Sequence, residues 1–77
     1  MEIKLHEVYE SVTEESLAFI TNVGLTPSGV KTVRFNRRYK SGHIEDDQYW
    51  SQDLFRGCFK PLPTYKKSPL YKTLNGS

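Results

Sequence analysis

Between residues 30 and 50 the chain reads "VKTVRFNRRYKSGHIEDDQYW", two β-patterned runs joined by a glycine-containing turn. Lys31, Val33, Phe35, Arg37 and Tyr39 point one way, and Thr32, Arg34, Asn36, Arg38 and Lys40 the other. The first set holds the apolar residues, so it faces a core and the second faces solvent. Ser41-Gly42-His43 closes a hairpin and residues 44–50 return. With Ser41-Gly42 as the turn, Val33 lies opposite Trp50, Tyr39 opposite Ile44, Arg37 opposite Asp46 and Arg38 opposite Glu45. With Gly42-His43 as the turn, Phe35 meets Trp50, Arg38 meets Asp47 and Lys40 meets Glu45. Either register puts Trp50 on the core face and sets bases against acids, each pair contributing roughly 0.2–1 kcal/mol. The basic run is therefore either neutralised by its own partner strand or a nucleic-acid footprint.

The rest of the chain is organised around this hairpin. "EVYESV" (7–12) is a short strand and residues 13–16 a turn. "LAFITNV" (17–23) has Leu17, Phe19 and Val23 on one face and Ala18 and Ile20 on the other, the pattern of a central strand buried in part on both sides. A helix over 13–21, capped by Thr13 with Glu14 and Glu15 in its first turn, is the competing assignment. "GLTPSG" (24–29) is turn chemistry. In "SQDLFRGCFKPLP" (51–63) the period changes: Ser51 caps a short helix near 52–58 that turns Leu54, Phe55, Cys58 and Phe59 toward the core. Pro61 and Pro63 then restrict the following segment to an edge strand. "TYKKSPLYKTLNGS" (64–77) lacks periodicity and is expected to be a flexible or partner-ordered basic tail on a single domain spanning 1–63.

A chain of 77 residues has room for one core, filled by the aromatic residues that make up 13% of it. The expected fold is mainly β: a small, strongly bent antiparallel sheet or SH3-like barrel with one short helix. "VYESV", "AFITNV", "VRFNRRY" and "QYWSQDLFRGCFKPL" carry a resemblance, at the level of pattern, to small SH3-like barrel proteins of tailed bacteriophages. The "ALYDY" stretch of signalling SH3 domains is absent, so the resemblance implies no binding of proline-rich peptides. It transfers no functional residues.

Cys58 is the single cysteine, which points to a reducing compartment and hence the cytoplasm. No stretch has the apolar length of a signal peptide or membrane span, so no membrane association is expected. His6, His43 and Cys58 are widely separated, and Glu45, Asp46 and Asp47 are consecutive and alternate in direction, so neither set suits a metal. The glycines are isolated turn glycines rather than a phosphate-binding loop, and Cys58 lies in an apolar segment. These features describe a non-enzyme without cofactor, either monomeric or a homodimer.

The net charge of +2 hides a blocky distribution. Acids dominate residues 1–29, bases 30–44, acids 45–53 and bases the remainder, which predicts a dipolar molecule with an acidic front and a basic rear. Two binding surfaces follow. In the first, the stripe Arg34, Asn36, Arg38 and Lys40 joins the tail residues Tyr65, Lys66, Lys67 and Tyr71, so that lysines neutralise phosphate while aromatic rings stack on bases of RNA or single-stranded nucleic acid. In the second, Glu7, Glu10, Glu14 and Glu15 face a basic host protein, as an inhibitor of a host enzyme or defence system that handles nucleic acid. An exposed sheet edge offers the same partner strand addition.

Overall fold

The computed structural model describes residues 3–76, so residues 1, 2 and 77 lie outside the described residues. Five strands, β1 (Val8–Ser11), β2 (Ser16–Leu25), β3 (Lys31–Tyr39), β4 (Ile44–Ser51) and β5 (Phe59–Pro61), form one antiparallel sheet in the order β4-β3-β2-β1-β5. Helix α1 (Gln52–Cys58) separates β4 from β5. A 3-10 turn at Tyr65–Lys67 and helix α2 (Pro69–Gly76) follow. The mainly β class, the bent antiparallel sheet and the helix at 52–58 are as the sequence predicts, and β2 is the central strand rather than a helix over 13–21.

The bend follows from the aromatic contacts. Neighbouring strands lie about 4.8 Å apart, so a flat sheet would separate edge strands β4 and β5 by roughly 19 Å. Instead Trp50 on β4 and Phe59 on β5 have ring centroids 5.7 Å apart, and Phe35 on β3 lies 5.5 Å from Phe59. The sheet therefore curls around these rings. Helix α1 fills the gap between the two edges: Phe55 is fully buried, stacks on Phe59 at 4.5 Å and touches Tyr9, Phe35 and Trp50. Ser51 starts α1 by accepting the Leu54 N–H on its Oγ, as its position predicts. About two turns later the helix ends, and Phe59 enters β5 opposite Ser11. Pro61 sits on this edge strand, where its missing N–H costs no ladder bond.

Several sequence assignments shift for identifiable reasons. Leu54, expected in the core, is 56% exposed, whereas Gln52 is buried and donates from Nε2 to the Thr32 carbonyl. The seven-residue helix has a narrow inner face, and Phe55 and Gln52, three apart, occupy it. A bulge between Ile20 and Asn22 adds a residue to β2, so Val23 packs against the core with Ile20 instead of sharing the face of Leu17 and Phe19. Gly24 belongs to β2, paired with Thr32, and the turn itself lies beyond Leu25, with Gly29 at φ 91°. Trp50 and Cys58 are packed against the core but only half-buried.

The tail departs most from expectation. Residues 65–67 and 69–76 are helical, and Tyr71 reaches back to Phe19 on the sheet face opposite the core, with ring centroids 6.5 Å apart. On that same face Leu17 is fully buried and Val8 nearly so. The two-sided burial legible in residues 17–20 is thus a second packing surface, and α2 lies over it. Ser68 begins α2 by accepting the Lys72 N–H on its carbonyl, with Pro69 in the first helical position.

Replacing Phe55 by alanine is expected to lower unfolding free energy by about 3–5 kcal/mol, and replacing the neighbouring Leu54 to change it by less than about 0.5 kcal/mol. Urea denaturation of the two variants checks this. Equal losses would place Leu54 in the core as well.

Candidate functional site

The hairpin follows the first of the two expected registers at its open end and neither of them near the turn. From Thr32 to Phe35 the pairing is that of a Ser41-Gly42 turn, with Val33 opposite Trp50, but after Phe35 it slips by one so that Arg37 faces Glu45 and Arg38 faces Ile44. The slip is a bulge centred on Asp47, whose φ is 55° and whose N–H donates to Asn36 Oδ1 at 2.9 Å. This slip re-aims the acids. Asp47 takes Arg34 at 3.0 Å, and Asp46 takes Arg38. Arg34 also lies over the Tyr49 ring, 4.8 Å from its centroid.

Three further ion pairs form between strands and their flanking turns. Glu15 pairs with Lys40 at 3.1 Å, Glu10 with Lys60 at 3.4 Å and Glu14 with Arg37 at 3.8 Å. Arg37 is nearly buried at the end of the core, where its Nε donates to Ser16 Oγ and its guanidinium covers the rings of Tyr39 and Phe59. Glu7 accepts from the Lys4 N–H and the Tyr9 hydroxyl. The antiparallel meander brings the acidic blocks of the sequence against the basic ones. The expected dipole of acidic front and basic rear is therefore largely cancelled within the fold.

Of the sequence-predicted nucleic-acid residues, the structure brings together only those in the tail. Arg34, Arg38 and Lys40 each have a carboxylate partner, and Asn36 holds the Asp47 bulge. A phosphate approaching this stripe meets Asp46 and Asp47 beside the arginines, which removes most of the Coulombic gain. Glu10, Glu14 and Glu15 of the acidic alternative are likewise each paired with a base. By contrast, Lys66, Lys67 and Lys72 are exposed and form no ion pair among the described residues. They flank Tyr65 and Tyr71, half-buried rings whose centroids lie 5.0 Å apart at 80°.

Phe19 is the member of this group that the sequence analysis leaves out. Alternation along 17–23 places it opposite the core-facing Ala18 and Ile20, which is the signal the sequence carries, but the sequence offers no periodic element to cover that face. A cleft of about 330 Å³ runs beside α2, lined by Glu10, Glu14, Glu15 and Lys40 on one wall and Pro69, Leu70 and Thr73 on the other. Its charged residues are those already paired, so it offers no unbalanced charge to a ligand. Among the described residues no group of three or more His, Cys, Asp or Glu is arranged to hold a metal, and no helix is long and apolar enough to cross a membrane.

No protein-family model, curated protein or solved structure matches the chain. The surface itself is therefore the basis for a functional assignment.

Two tyrosines contribute to the fold's stability at alkaline pH. Burial, then the hydrogen bond to Glu7 and that carboxylate's charge, push the Tyr9 phenol up to about 12. Burial and the hydrogen bond to Glu45 raise Tyr39 in the same direction, against the pull of Arg37. A phenol near 10 in the unfolded chain is thus held protonated by the fold, so its stabilisation is complete below about pH 10 and is lost as pH rises toward about 12. Tyr9→Phe is expected to flatten the fall in urea midpoint between pH 9 and pH 12, leaving the smaller contribution of Tyr39. Identical slopes in variant and parent would show that Tyr9 does not control it.

Proposed function

We propose that the chain is a non-enzymatic binding protein that holds RNA or another single strand of nucleic acid through the tail segment 65–72. The observation that supports this most directly is the placement of Lys66, Lys67 and Lys72, exposed and without an ion pair among the described residues, around Tyr65 and Tyr71. Positive charge that the fold has not neutralised is free to release counterions from a phosphate backbone. The stripe Arg34, Arg38 and Lys40 adds little, because each residue would exchange one anionic partner for another.

The acidic alternative loses its support for the same reason, since Glu10, Glu14 and Glu15 are engaged within the chain. A cytoplasmic setting fits the single cysteine, Cys58, which has no partner for an intrachain disulfide. The pattern-level resemblance to small phage barrel proteins fits an accessory factor of this kind.

Fluorescence anisotropy with a labelled single-stranded RNA tests the proposal. Three phosphate contacts imply a slope of log affinity against log salt of about −2, a loss of roughly 20-fold between 50 and 200 mM salt. Joint replacement of Lys66, Lys67 and Lys72 by alanine is expected to abolish the salt-dependent binding, and Arg34→Ala with Arg38→Ala to leave it within about twofold. Absence of binding at low salt, or the converse ranking of the two variants, would contradict the assignment.

A further inference from the structure

We infer that Phe19 joins Tyr71 and Tyr65 in a platform on which unpaired bases stack, so that the ligand is a single strand held through its bases as well as its phosphates. This rests on the nucleic-acid reading above and names the class of strand it selects. The three rings come from different elements, β2, the 3-10 turn and α2, yet they form a continuous series, with centroids 6.5 Å apart for Phe19 and Tyr71 and 5.0 Å for Tyr71 and Tyr65. Lys66 and Lys72 adjoin Tyr65 and Tyr71 in the chain.

Part of this arrangement is structural. An eight-residue helix is not stable alone in water, and Tyr71 against Phe19 docks α2 on the sheet. Docking does not require the rings to stay open to solvent, however. In the core Phe35 and Phe55 are fully buried, whereas Phe19, Tyr65 and Tyr71 are each only partly buried, and Tyr65 and Tyr71 adjoin unneutralised lysines in the chain. A half-covered aromatic series bordered by cations is the combination that single-strand sites use, since every base has a face to stack and every linkage a phosphate. A duplex conceals its base faces and gains only the electrostatic part.

The experiment compares a labelled oligouridine with an abasic strand of the same length and charge. The platform predicts that the abasic strand binds about tenfold more weakly, while both retain the same salt slope. Phe19→Leu, which keeps apolar volume under α2, is expected to lower affinity for oligouridine several-fold and leave the abasic strand unchanged. Circular dichroism establishes that the variant is folded, and Tyr71→Leu takes its place if it is not. Equal, salt-dependent binding of the two strands would overturn the platform and leave the lysine site standing. Binding of neither strand at low salt would overturn both.

Discussion

The stack of Phe59 on Phe55, with Phe35 and Trp50 packed against both, is the contact on which the rest of the structure depends. Strand β5 has three residues and includes Pro61, too little for a stable edge on its own ladder bonds. It is held at β1 because α1 delivers Phe59 into the ring cluster about two helical turns after Ser51. Once β5 is there, Leu62 donates to the Val8 carbonyl and the chain is directed over the outer face, where Tyr71 meets Phe19. The placement of the tail is thus a consequence of how the core closes.

Charge is arranged by the same topology. A meander places each strand beside the next, so alternating blocks of acid and base become neighbours: Asp46 and Asp47 against Arg38 and Arg34, Glu14 and Glu15 against Arg37 and Lys40. Most of these pairs are exposed and contribute at most about 1 kcal/mol each. Their larger effect is on the surface field, which they flatten everywhere they occur. The tail escapes because the acids available to the strands are already engaged. Its three lysines are a local cluster of positive charge, whereas Lys4 and Lys31, the other exposed lysines without an ion pair among the described residues, stand apart in the sequence.

The hairpin, the central position of β2, the Ser51 cap and the edge placement of Pro61 were all legible in the sequence, because each rests on local alternation or on one residue's backbone chemistry. The Asp47 bulge was not. It depends on an aspartate adopting positive φ and on Asn36 reaching across to its N–H, and neither leaves a mark in a period-two pattern. That one slip decides which acid meets which arginine, so the charge balance of the stripe could be anticipated but not its pairing. The helical tail was missed for a different reason. Ser68-Pro69 is a start signal, but α2 is too short for its period to show, and what stabilises it is the sheet face beneath. The two-sided burial of residues 17–20 implied that a cover existed, and the tail was the remaining segment able to supply it.

Amide chemical-shift mapping of the isotopically labelled protein during titration with a single-stranded oligonucleotide tests the central claim directly. The account predicts that the shifts cluster at residues 65–72 and at Phe19, with the outward-facing β3 residues Arg34, Asn36 and Arg38 little changed. Shifts centred on Arg34, Arg38 and Lys40 instead would show that the paired strand face is the working surface, and would contradict the account.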